Sequence, residues 1–135
     1  MYDKIIICLA LDHGISAQAL EAARTLLNAG GTIIAVHAYE PPSTSVRTYL
    51  DDGTIADLRA GAEEALTARV IDHPEIASVL LSGNPSRSIN AYAKKVGADC
   101  IVIGSHRPGL NDYFLGSTAA RVVRHAPCAV HVLRQ

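Results

Sequence analysis

Two kinds of apolar pattern alternate along the chain. Residues 5–11 (IIICLAL) form an unbroken, largely β-branched run. Such a run predicts a strand covered on both faces, because a strand with one wet face would alternate instead. Ser16 can cap the segment that follows, where Ala17, Leu20, Ala23 and Leu27 recur at helical spacing. Gly30-Gly31 is expected to stop that helix. Residues 32–39 (TIIAVHAY) read as a second strand, ended by Glu40-Pro41-Pro42, since proline cannot continue a ladder. Residues 43–52 carry neither period and read as an irregular loop. From 54 to 71, Ile55, Leu58, Ala62, Leu66 and Val70 fall on one helical stripe, which His73-Pro74 ends.

Residues 76–81 predict a third strand. Gly83-Asn84-Pro85-Ser86 then breaks the chain and starts a helix over 87–96, with Ile89, Ala93 and Val96 on its apolar stripe and Gly97 as its stop. Residues 100–103 read as a fourth strand, 118–125 as a short helix, and Ala129–Leu133 as a fifth strand. This alternation implies a parallel sheet with helices on both faces, joined by right-handed crossovers. No repeat, low-complexity tract or linker interrupts it, so residues 1–135 read as one doubly wound α/β domain, large enough for one good core.

Composition narrows the function classes. Apolar residues make up 49% of the chain, which excludes a disordered segment. With 12 basic and 13 acidic residues the net charge is −1, leaving no basic surplus for a nucleic-acid or membrane surface. The run at 5–11 is too short to span a bilayer, and no small-residue cleavage pattern follows it. A cytoplasmic location is expected. The cysteines Cys8, Cys100 and Cys128 are odd in number, form no CxxC pair and lie in or beside apolar runs. They read as reduced thiols buried as small hydrophobes.

In open parallel sheets, ligands sit beyond the carboxyl ends of the strands. Three segments qualify: Asp12 after the first strand, 83–86 after the third, and 104–117 after the fourth. The last ends in Gly116-Ser117 at a helix start, where free N–H groups and the helix dipole favour an anion. Gly116 is expected to let the backbone approach phosphate and to hold angles that a side chain would disfavour. Ser117 adds a hydroxyl; His106 and Arg107 can add charge or hydrogen bonds. A plain turn is the competing reading of this loop. Neither GxxxxGK[ST] nor a GxGxxG after the first strand is present. His37, His125 and His131 lack metal-ligand spacing and read as structural or surface residues.

The loop resembles the ATP-binding signature G-x2-G-x9-G-[ST] of the universal stress protein family. Gly104 matches the first glycine and Gly116-Ser117 the final pair. Arg107 stands where the second glycine would be, and the loop is one residue shorter. The GSHRPG…LGS form is similar to the F/G-type, ATP-binding branch. Asp12, His37-Ala38, Gly83-Asn84-Pro85 and Arg124-His125-Ala126-Pro127 also match, so the resemblance covers essentially the whole chain. It implies a Rossmann-like, five-stranded parallel sheet of order 3-2-1-4-5 flanked by four helices. The implied ligand is ATP or a related adenine nucleotide, alone or with Mg2+.

In this resemblance Asp12 faces the adenosine and the backbone near Ala38 meets adenine. Gly104, Gly116, Ser117 and Thr118 wrap ribose and phosphates. Gly83, Ser105, His106, Arg107 and Gly109 complete the implied set. Asp12 has a local alternative as an Asx-type helix cap. Gly14 departs from the Ser common in the family, and Arg107 can either block phosphate or neutralise it. The implied role is a stress-response regulatory module acting through an unidentified protein partner. It is implied to be a homodimer through Ala129–Leu133. Two alternatives stay open: a nucleotide-free partner-binding protein, and slow ATP hydrolysis or autophosphorylation. Efficient phosphoryl transfer needs a metal clamp, a positioned nucleophile and a charge stabiliser, so robust turnover is not expected.

Overall fold

The computed structural model describes residues 1–11, 15–105 and 115–134. Its central strand is β1 (Tyr2–Cys8), flanked by β2 (Leu27–Tyr39) and β4 (Cys100–Gly104). Outside them lie β3 (Ile76–Ser82) and β5 (Ala129–Leu133), giving the parallel order β3-β2-β1-β4-β5. This is the order that the resemblance implied. The described helices are α1 (Ala17–Leu26), α2 (Thr44–Arg47), α3 (Asp52–Val70), α4 (Pro85–Val96) and α5 (Ser117–His125).

Successive side chains of a strand point to opposite faces, so each apolar run of the sheet feeds two cores. Ile5 and Ile7 of β1 pack with Leu20 and Ala23 of α1 and with Leu66 and Val70 of α3. Ile6 packs on the other face with Ile89 and Ala93 of α4 and with Ala119 and Val122 of α5. Ile6 is paired in register with Ile34 and Ile101, and all three are buried. Double coverage is why β1 and β4 read as continuous apolar runs.

Local chemistry sets the helix ends. Ser16 accepts from the Ala19 N–H at 3.0 Å, Asp51 from Thr54 at 2.6 Å and Asn84 from Arg87 at 3.2 Å. Each side chain satisfies a donor that the first helical turn leaves open. Pro85 opens α4, and left-handed Gly97 closes it.

Several boundaries differ from the sequence expectation. β1 runs from Tyr2 to Cys8 and does not reach residue 11, although the Leu9 N–H still donates to Val36 O at 2.8 Å. Gly30-Gly31 does not stop a helix: α1 ends at Leu26, and both glycines lie inside β2. Tyr2 pairs with Leu27, and the register shifts before Lys4 pairs with Thr32. Gly30, at φ +79°, absorbs that irregularity with a backbone angle that costs other residues. The stretch read as an irregular loop holds the one-turn α2, capped by Ser43, so a short fifth helix joins the four expected.

The apolar stripe expected along α3 is buried only at Leu66 and Val70; Ile55 is half-buried and Leu58 is 46% exposed. A helix of 19 residues is about 28 Å long. Only its last turns, through Leu66 and Val70, reach the core beneath the sheet.

Candidate functional site

β1 and β4 are neighbours in space but not in sequence, so the chain reverses its direction of winding between them. In open parallel sheets such a switch point, beyond the carboxyl ends of its strands, is where ligands bind. The β1 side is held from two directions. The His37 ring sits with Nδ1 2.8 Å from Leu9 O, and Arg69 of α3 donates through Nε to Leu11 O at 3.0 Å and through Nη2 to the same oxygen. These bonds fix the chain up to the residue before Asp12. Asp12 itself lies outside the described residues, as do His106, Arg107 and Gly109.

The β2 and β3 ends meet at the same edge. Ala38 is half-buried, pairs with Leu81 and packs towards the α4/α5 side of the sheet. Gly83, just beyond β3, donates its N–H to Tyr39 O at 2.9 Å. Its φ of +118° turns the chain into α4 with an angle that L side chains rarely adopt. Tyr39 was missed by the sequence reading. Its hydroxyl is buried and has no hydrogen-bond partner among the described residues, an open polar group at the edge where ligands bind. Its place at the end of a strand, next to Ala38, was the available signal.

The glycine loop is closed at its neck. Gly104 ends β4 and is exposed, whereas Ser105 is buried. The Ser105 N–H donates to Leu133 O at 2.8 Å, and the Gly116 N–H donates to Ser105 O. The β4 end, the β5 end and the start of α5 are thereby pinned together. Gly116 is the N-cap of α5, and among the described residues no side chain caps the first turn. The first intrahelical bond runs from the Ala120 N–H to Gly116 O at 2.9 Å. The N–H groups of Ser117, Thr118 and Ala119 therefore have no acceptor within the helix. In α1, α3 and α4 a side chain accepts from the first turn. One expectation is corrected here: Gly116 has φ −58° and ψ 154°, angles open to any residue. What glycine provides at this point is the absence of a side chain.

A groove of about 560 Å³ runs between the first turn of α4 and the length of α5. Asn84 and Arg87 line one side; Ser117, Arg121, Arg124 and His125 line the other. Sequence reasoning missed this groove, although Ser117, Arg121 and Arg124 follow a helical repeat.

Cys100 is buried, as expected of a small hydrophobe, whereas Cys8 and Cys128 are half-buried. Burial pushes the Cys8 thiol up to about 12 and raises Cys100 and Cys128 as well. All three stay protonated near neutral pH, which suits packing and not nucleophilic chemistry. No group of three or more metal-ligating side chains occurs among the described residues, and no described helix is long and apolar enough to cross a membrane.

Comparison with known proteins places this arrangement. The sequence model of the universal stress protein family matches residues 1–134. Universal stress protein G of Shigella flexneri is 32% identical over 143 aligned positions, spanning 99% of this chain and 100% of that protein. The structure of universal stress protein UspA from Lactobacillus plantarum superposes with a TM-score of 0.69 at 24% identity, covering 98% of both chains. A universal stress protein from Archaeoglobus fulgidus, solved in complex with dAMP, gives a TM-score of 0.57 at 23% identity over 97% of each chain.

Proposed function

The chain belongs to the universal stress protein family, and on that premise we propose that it is an adenine-nucleotide-binding regulatory module of the stress response. One observation carries the reading. At the carboxyl edge, next to the β1/β4 switch point, α5 begins behind Gly116 with no side chain of the described residues capping its first turn. Open N–H groups at a helix start are donors for a phosphate, and the helix dipole favours the negative charge. The dAMP complex of the Archaeoglobus fulgidus relative agrees with an adenine nucleotide as ligand.

In this proposal the base lies near Ala38, and the sugar and phosphates lie against Gly104, Ser105, Gly116, Ser117 and Thr118. Gly83 shapes the adjoining turn. Asp12, His106, Arg107 and Gly109 complete the set by their match to the family signature. The ligand is ATP, with Mg2+ neutralising its phosphates. Hydroxyls and backbone amides hold phosphate without activating a nucleophile, so occupancy and not turnover is the output. A protein partner would read the occupied loops. The protein would work in the cytoplasm as one domain over residues 1–135. It would form a homodimer through β5, whose outer edge carries exposed Ala129 and His131. An edge strand of this kind needs a partner or a cover. Sedimentation showing a monomer at high micromolar concentration would remove the dimer.

Calorimetry with AMP and with Mg-ATP tests the core of the reading. Saturable binding of both is expected, with phosphate release far below ordinary enzyme rates of about 1–1000 per second. No heat and no thermal shift at millimolar nucleotide would overturn it. Brisk turnover would replace the regulatory module with an enzyme.

A further inference from the structure

The net charge of −1 conceals a strong segregation. Helices α4 and α5 carry Arg87, Lys94, Lys95, Arg121 and Arg124 and no aspartate or glutamate. Helices α1 and α3 on the opposite face mix Arg24, Arg59 and Arg69 with Glu21, Asp52, Asp57, Glu63 and Glu64. The groove between α4 and α5 lies within the basic layer. Arg87, Arg121 and Arg124 reach it from two helices, and among the described residues none of the three is paired with a carboxylate. Unpaired like charges gathered at one groove repel one another. An anion in the groove would remove that repulsion.

The shape of the groove selects among anions. It starts at Ser117, in the open first turn of α5, and continues past Arg121 to Arg124. Seven residues of helix span about 10 Å, longer than one phosphate and comparable with a chain of three or four. Guanidinium groups match phosphate oxygens with two parallel hydrogen bonds each. Among the described residues that line it, the His125 imidazole is the only ring and Ala120 the only apolar side chain, so the groove is built of cations and hydroxyls with no Phe, Tyr or Trp platform. Nucleic acid and acidic peptides ordinarily need such anchors to bind well.

We propose that the α4/α5 groove binds a linear polyphosphate chain, held by Arg87, Arg121 and Arg124 and starting at the α5 N-terminus. The chain can be the tail of a nucleoside polyphosphate or a free inorganic polyphosphate. Its upper end rests on the reading that a nucleotide phosphate sits at Ser117; the arginine track itself does not.

Calorimetry on the full chain with inorganic tripolyphosphate, AMP and ATP tests this. Tripolyphosphate should bind with an affinity that falls steeply with salt. The double variant Arg121→Gln/Arg124→Gln should lose at least tenfold of it and keep AMP binding. Lys95→Gln, which changes the net charge of the layer outside the groove, should bind tripolyphosphate like the parent. Circular dichroism checks that each variant is folded; the three side chains are exposed. Competition between ATP and tripolyphosphate, with both weakened in the double variant, identifies the groove with a nucleotide tail. Simultaneous binding identifies it with free polyphosphate. AMP binding without tripolyphosphate binding would overturn the groove and leave the nucleotide reading standing. Tripolyphosphate binding without AMP binding would do the reverse. Equal weakening by Lys95→Gln, or equal competition from polyglutamate of the same charge, would reduce the groove to unspecific surface charge and overturn the proposal.

Discussion

The helices of the two layers carry apolar repeats in sequence, yet they lie on the sheet differently. Helix α4 buries Ser86, Ile89 and Ala93 from its first turn to its third, and α5 buries Ala119 and Val122. Helix α3, the longest, buries only Leu66 and Val70 near its end. Its earlier turns stand clear of the core, with Leu58 exposed. The repeat decides which face of a helix turns inward, and the length of helix over the sheet decides how much of that face is covered. The contrast reaches the site. Full-length contact holds the starts of α4 and α5 at the carboxyl edge, where preorganised donors cost little to use. Helix α3 serves the edge differently, through the polar bond from Arg69 to Leu11.

Truncation of one residue from each layer gives the sharpest separation. Ile89, 4% exposed, packs between α4 and the sheet. Ile89→Ala should cost about 2–5 kcal/mol, the range for removing a buried aliphatic side chain. Leu58→Ala should stay within about 0.5 kcal/mol, as surface substitutions do. Urea unfolding measures both. A Leu58→Ala loss as large as that of Ile89→Ala would show that the first half of α3 is packed in solution, against a second copy or a partner.

The starts of α4 and α5 offer the next test, because a side chain caps one and not the other. Gly116→Val leaves the backbone angles attainable and adds bulk where phosphate should approach. Nucleotide affinity should fall at least about tenfold, or 1.4 kcal/mol, with the fold intact. A folded variant that binds as tightly as the parent would make the loop a plain turn. Asn84→Ala removes the existing cap of α4 and should cost about 1 kcal/mol. Gly116→Asp supplies α5 with the missing cap, so it should raise the melting temperature slightly and abolish nucleotide binding, its carboxylate occupying the phosphate position. Retained binding in Gly116→Asp would place the phosphate elsewhere.

The inner strands β1 and β4 were legible because double coverage leaves a simple trace, a largely unbroken apolar run. The sheet order came with the family resemblance. The start of β2 was not legible, since the pairing of Leu27 with Tyr2 extends it across residues that read locally as a helix stop. The exposure of the first turns of α3 depends on which part of the helix meets the core, which no local period records. At the site, the glycine signature located the neck formed by Ser105 and Gly116 and the open start of α5. The arginine groove stayed hidden because Arg87 and Arg121 are far apart in sequence and meet only through the packing of α4 on α5. Tyr39 gave no motif, and its relevance comes from a buried hydroxyl with no partner among the described residues.

The smallest expected effect concerns how the α1 side of the sheet is pinned. Arg24 of α1 forms an ion pair with Glu75, just ahead of β3. The hydrogen bond from Arg24 holds the Glu75 carboxyl below its usual 4.5. A carboxyl whose pKa is lower in the folded state adds stability above its unfolded pKa and loses it as pH falls through the folded one. The pair should therefore help near neutral pH and fade below about pH 4.5. Both side chains are about half exposed, at 52% and 50%, so water and salt screen the pair. Glu75→Gln should lower the melting temperature slightly at pH 7 in low salt. The gap should narrow as the pH falls below about 4.5 and the parent's carboxyl takes up its proton, and it should also shrink in 1 M salt. A gap that stays the same size all the way down the acid range would mean that Glu75 acts by packing or by neutral hydrogen bonds. The α1 side would then be held as the α4/α5 layer is, by contact and not by charge.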